Sequence, residues 1–141
     1  MRYILDACVA LKWVIEEADS DESRRLRDSA RAGVHNLFVP TIFPSEIMNS
    51  PTKAERQKRI QQGDGWSHYL TIISDARVHI DYYPLVARAY EISSSYRIGF
   101  YDCVYVALAE QEGCELVTAD QRLIRNLQPT LPFIIELADL P

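Results

Sequence analysis

The sequence predicts an α/β fold, one domain over residues 1–141 with a central, mainly parallel sheet flanked by helices. Two observations predict it. Five short apolar runs, Tyr3–Leu5, Leu37–Val39, Val78–Ile80, Glu115–Thr118 and Phe133–Ile135, alternate with longer helical patterns. The runs are continuous and lack in/out alternation, as in strands covered on both faces. A third observation concerns chemistry: four acidic residues, Asp6, Glu46, Asp102 and Asp120, stand where a strand or loop gives way to a helix.

The first strand leads into a helix over Cys8–Ile15. The next helix, Asp21–Ala32, has Asp19 and Glu22 positioned to cap its start and arginines later along it. Pro44 suits the first turn of a helix over Pro44–Asn49. Ser50-Pro51 predicts a break there, because the residue before proline avoids the helical region. A restart over Thr52–Gln62 then carries the basic residues, with Gly63 and Gly65 marking its end. Helices over Trp66–Ser74 and Leu85–Ser95 follow. The helix Tyr101–Gln111 contains Cys103–Ala109, apolar nearly all round, which predicts burial. Gly113 is its expected stop, and Gln121–Asn126 is the last helix.

Composition narrows the function. The chain of 141 residues is long enough for a real core. No apolar run approaches the ~18–20 residues of a membrane span, and the N-terminus carries no secretory h-region. Cys8, Cys103 and Cys114 are odd in number and without a CxxC pair, which points to a reducing, cytoplasmic setting and away from structural zinc. His35, His68 and His79 lack the HxxxH spacing of zinc hydrolases. The net charge of -5 argues against nucleic acid at first sight, yet setting aside the four acids leaves sixteen against fifteen basic residues. The charge balance is therefore neutral on that question.

Taken singly, each acid has an ordinary structural role: a turn residue at Asp6, a favourable charge at a helix start for Glu46, N-caps at Asp102 and Asp120. Taken together, they could meet beyond the carboxyl ends of a parallel sheet, where ligands bind in such folds. Carboxylate oxygens with no adjacent Cys or His pair suit Mg²⁺ or Mn²⁺. Such ions activate water and stabilise the attacking and leaving oxygens at phosphorus.

Four segments carry a resemblance over essentially the whole chain. They are Ile4-Leu-Asp-Ala-Cys-Val-Ala-Leu-Lys-Trp13, Pro44-Ser-Glu-Ile-Met-Asn49, Tyr101-Asp-Cys-Val-Tyr-Val-Ala-Leu-Ala-Glu110 and Leu116-Val-Thr-Ala-Asp120. In this order they resemble the motifs of PIN-domain proteins, and within them the VapC-type toxins of toxin–antitoxin pairs. The resemblance implies a metal-dependent endoribonuclease, often dimeric and inhibited by a small antitoxin. It implies that Asp6, Glu46, Asp102 and Asp120 form the metal site, with Asn49 and Thr118 supporting the carboxylates. Ser50-Pro51 departs from the family pattern, as does Cys8, which stands where a small polar residue is common.

On this reading Asp6 and Asp102 are the expected direct ligands. Glu46 and Asp120 ligate, bind through water or orient the attacking water. Lys12 and the segment Lys53, Arg56, Lys58 and Arg59 are candidate RNA-backbone contacts, although a surface lysine and a solvated helix face are the plainer explanations. A non-cleaving PIN-like binding module is the alternative, and the presence of all four acids counts against it. An aspartyl-nucleophile phosphatase would need a second acid two residues after Asp6, where Cys8 stands. A receiver domain would need adjacent acids at the first strand's end.

Overall fold

The computed structural model describes residues 1–141. Its strands are β1 (Arg2–Leu5), β2 (Asn36–Pro40), β3 (Val78–Ile80), β4 (Glu115–Thr118) and β5 (Ile134–Glu136). They form one sheet in the order β3-β2-β1-β4-β5, with every pairing parallel. The helices are α1 (Ala7–Leu11), α2 (Ser20–Arg31), α3 (Phe43–Arg56), α4 (Asp64–Asp75), α5 (Val86–Tyr96), α6 (Phe100–Glu112) and α7 (Gln121–Leu127). Short 3-10 turns lie at Tyr83–Leu85 and Leu137–Asp139.

The chain winds outward from β1 to β2 and β3, then returns to the other side of β1 for β4 and β5. The reversal falls between β1 and β4. In open α/β sheets a crevice forms at such a switch point, beyond the strand carboxyl ends. The strands read as continuous apolar runs because helices cover both faces. Ile4, Leu5, Val39, Leu116, Val117 and Ile134 are all buried, together with Phe43 and Ile47 of α3 and Ile72 of α4. Seven consecutive residues of α6, Cys103–Ala109, are buried, as its all-round apolar sequence predicts. Gly113 ends α6 at φ 61, in the left-handed region that glycine enters at little cost.

Three local expectations are corrected. Ser50-Pro51 does not break a helix: α3 runs unbroken from Phe43 to Arg56 with Pro51 inside it. Pro51 is buried, and a Cβ on Gly65 of α4 would lie only 3.2 Å from the Pro51 Cβ, so the ring fills the α3–α4 contact. The Thr52 hydroxyl donates to the Met48 and Asn49 carbonyls at 2.7 and 3.2 Å, in the turn the proline weakens. Packing thus outweighs the local penalty. The second correction is the helix end: α3 stops at Arg56 and not at Gln62, with Lys58 left-handed at φ 57. Gly63 and Gly65 therefore belong to the start of α4, and Glu55 accepts a bond from the Gly63 amide across this turn. Third, Asp19 makes no capping bond and is itself left-handed at φ 62. The Ser20 hydroxyl braces the entry to α2, accepting from the Glu17 amide at 2.9 Å.

Candidate active site

Asp6 follows β1 directly and N-caps α1. Its Oδ1 accepts from the Cys8 amide at 3.4 Å and its Oδ2 from the Thr118 hydroxyl at 2.7 Å. Asp120 follows β4 and N-caps α7, accepting from the Arg122 and Leu123 amides at 2.9 and 3.3 Å. Thr118, fully buried at the end of β4, joins the two: its hydroxyl donates to Asp6 and accepts from the Asp120 amide at 3.1 Å. Since β1 and β4 are neighbours, one hydroxyl spans the switch point.

The other two acids come from helix starts. Glu46 lies in the first turn of α3, just after β2, with Pro44 setting the helix entry. Asp102 lies in the first turn of α6 and is not its cap; Gly99 holds that position. Because α6 ends where β4 begins, its start points toward the far, carboxyl edge of the sheet. Asp102 there feels the charges of Asp6 and Asp120, and Glu46 feels those of Asp6 and Asp102. All four acids thus share one electrostatic neighbourhood.

Burial dominates their ionisation. It pushes Glu46 up to about 7, against the pull of the nearby Tyr105 hydroxyl, and the like charges of Asp6 and Asp102 add to the rise. Asp102 rises to about 6 by burial and then by Asp6 and Asp120, with Arg122 opposing. Asp6 rises by burial, against the pull of its bonds from Thr118 and Cys8. The neighbouring Cys8 thiol is held well above its ordinary range by burial and by Asp6, which makes a thiolate at this site unfavourable.

The remaining predicted residues divide. Asn49 sits one turn beyond Glu46, exposed, and makes no hydrogen bond to the acids. Lys12 is 8% exposed, and its ammonium is held by Glu17 at 3.2 Å and the Ala18 carbonyl at 2.8 Å. It is neither a surface lysine nor free to meet a phosphate. Lys53 and Arg56 are exposed on the last turns of α3, and Lys58 and Arg59 on the turn beyond, so they do not form one helix face. Arg56 is ten residues past Glu46, roughly 15 Å along the helix.

Two neighbours of the acids escape sequence reasoning. Tyr105, fully buried on α6, lies beside Glu46, but its hydroxyl and the Glu46 Oε1 are both without an aligned partner. A tyrosine inside an apolar run reads as core. Arg122 is exposed in the first turn of α7, donates to the Arg97 carbonyl at 3.1 Å and sits near Asp102. Its signal was available: an arginine at a helix start opposes the helix dipole, a cost that nearby carboxylates offset.

The donor set fits a hard divalent cation. It is made of carboxylate oxygens, partly desolvated and within reach of one another's charge, the ligands such ions prefer. No three Asp, Glu, His or Cys side chains are drawn into a tight metal-binding group, so the acids are within reach of one another's charge without forming a closed cage. Like charges in a partly desolvated cleft hold each other apart until protons or a cation balance them.

Comparison with known proteins follows the same lines. A PIN-domain family model matches residues 3–127. The chain belongs to the PIN-domain family. This PIN domain is 31% identical to Ribonuclease VapC9 of Mycobacterium tuberculosis over 135 residues, 94% of this chain and 96% of that one. It is 29% identical to Ribonuclease VapC12 of the same organism over 124 residues, 87% of this chain and 90% of that one. Among solved structures, PAE2754 from Pyrobaculum aerophilum superposes with a TM-score of 0.73 at 20% identity, covering 98% of this chain and 85% of that one. VapBC2 from Rickettsia felis, bound to a DNA fragment from its promoter, superposes at 0.67 and 18% identity, covering 96% and 97%. At those identities the two structures speak for the PIN fold alone.

Proposed function

We propose that this chain is a metal-dependent endoribonuclease, the toxin of a toxin–antitoxin pair, acting as one nuclease domain over residues 1–141. The observation that carries this reading is the gathering of Asp6, Glu46, Asp102 and Asp120 at the β1/β4 switch point, with Glu46 and Asp102 raised to about 7 and 6. Raised carboxylates in a cleft mark functional sites more often than structural ones. The names of the relatives supply the substrate class: both VapC proteins are ribonucleases.

Asp6 and Asp102 are assigned as direct holders of Mg²⁺ or Mn²⁺, with Glu46 and Asp120 completing the set directly or through water. A bound divalent ion supplies charge neutralisation, water activation and stabilisation of the leaving oxygen at the scissile phosphate. Thr118 fixes Asp6 by donating to Oδ2, leaving Oδ1 toward the start of α1. Asp120 is held as a cap, its Oδ1 taken by the Arg122 and Leu123 amides. Arg122, at the rim beside Asp102, is the nearest candidate to meet a phosphate, ahead of the more distant Arg56, Lys58 and Arg59. Lys12 is withdrawn from that role by its burial and pairing. A small antitoxin and a second copy of the chain are the proposed protein partners. No helix is long and apolar enough to cross a membrane.

The test is cleavage of a structured RNA pool by wild type, Asp6→Asn and Asp102→Asn, with Mg²⁺, Mn²⁺ or EDTA, after circular dichroism establishes folding. Cleavage by wild type alone, stopped by EDTA, is expected. Equal cutting by mutants and wild type would sink the site assignment. No cutting of any RNA would favour a non-cleaving PIN-like module.

A further inference from the structure

Seven residues in a row on α6 are buried, and one of them is a tyrosine. Its neighbours are Val104, Val106, Ala107 and Leu108, and a phenylalanine would fill the same volume. The hydroxyl is therefore the part that asks for an explanation. It is buried and makes no well-aligned hydrogen bond, although Glu46 lies near enough to share its proton, and buried hydroxyls are rarely left so. Tyr105 is three residues after Asp102, so the two lie on one face of α6. Across from it stands Glu46 on α3, whose Oε1 is the other buried oxygen of the site without a partner. The pair is complementary: a phenol O–H donates and a carboxylate oxygen accepts. They are close enough that each weighs on the other's proton affinity, and Asp6 weighs on Tyr105 as well.

We infer that Tyr105 is a positioning residue for Glu46: its hydroxyl donates to Oε1 and so turns Oε2 toward the acidic cleft. The inference rests on the assignment of Glu46 to the metal site. Groups that orient a metal ligand in this way typically change affinity or activity about 10–100-fold when removed. A core aromatic with an idle hydroxyl would change neither. The arrangement gives the two buried oxygens, the Tyr105 hydroxyl and Glu46 Oε1, the partner that each lacks.

The deciding experiment uses wild type, Y105F, E46Q and the double variant in the full chain. Mn²⁺ binding is followed by isothermal titration, melting is measured in EDTA, and RNA cleavage kinetics are measured where activity remains. Y105F keeps the ring, so its metal-free melting temperature stays within a few degrees of wild type. It binds Mn²⁺ about 10-fold more weakly and loses kcat while KM for RNA holds. Adding Y105F to E46Q weakens Mn²⁺ binding no further, since the group it positions is gone. Wild-type Mn²⁺ affinity in Y105F overturns the inference, as does an equal, additive loss in both backgrounds. Wild-type affinity in E46Q is a separate result: it removes Glu46 from the metal site and the positioning role with it.

Discussion

The acidic crevice has two halves that are built differently. On the strand half, Asp6 and Asp120 are N-caps whose oxygens take backbone amides, and the Thr118 hydroxyl ties them together. On the helix half, Glu46 and Asp102 sit in first turns and accept no hydrogen bond aligned well enough to hold them. The strand half is useful to the fold whether or not anything binds. The helix half is a cost to the fold until something does. A site that must assemble around a cation can share its ligands this way: two fixed by architecture, two held ready by desolvation and mutual repulsion.

The sharpest break in that comparison is by activity. Asp6→Asn and Asp102→Asn should each lower metal-dependent RNA cleavage by at least about 100-fold, one from each half, measured at saturating Mg²⁺. If only one half matters, the four-acid site is too large.

Stability should then separate the halves in opposite directions. Thr118→Val strands the Asp6 oxygen and the Asp120 amide in a buried place. It is expected to cost about 2–3 kcal/mol by urea unfolding, with Thr118→Ser restoring most of it. Asp120→Ala removes a cap and is expected to cost about 1 kcal/mol, whereas Asp120→Asn keeps a capping oxygen and costs less. Glu46→Gln and Asp102→Asn should do the reverse and raise the melting temperature in EDTA at pH 8, because each removes a buried charge. A lower melting temperature in both would mean that the helix half is also structural.

A further break is the pH profile of the metal-free protein. Glu46 rises from 4.5 to about 7 and Asp102 from 3.8 to about 6 on folding. The native state therefore holds more protons than the unfolded chain between those values. Their contribution to stability is full below the unfolded pKa and is lost as pH climbs through the folded one. Melting in EDTA should fall between about pH 4 and 7. Saturating Mg²⁺ should flatten that fall, and Glu46→Gln should reduce it. A flat profile in EDTA would show that the crevice is better solvated than its geometry suggests.

Much of this is legible in the sequence. All five strands stand within two residues of their predicted bounds, because buried parallel strands write themselves as unbroken apolar runs. The four acids were legible as helix-start residues, and their joint placement followed from the carboxyl-edge rule. The α3 region was not. Pro51 carries a strong local signal to stop a helix, and that signal lost to a tertiary contact with Gly65 that no local rule contains. Lys12 departs from its expected setting for a related reason. Its burial is decided by Glu17 and the Ala18 carbonyl, whose approach depends on the turns after α1. Tyr105 was hidden by its setting, since only the opposing helix reveals that its hydroxyl faces a carboxylate.

The sheet's outer strands have a consequence for assembly. β3 and β5 are three residues each, and both ends of the sheet are therefore short of free backbone. Just before β5 the Phe133 carbonyl accepts from the Leu116 amide, and on β5 the Ile134 carbonyl is already taken by the Gln128 side-chain amide at 2.7 Å. Such edges offer little template for another chain to extend the sheet. A protein that grips this one must read side chains on its helices, where recognition is set by shape and charge and a few substitutions can redirect it from one partner to another.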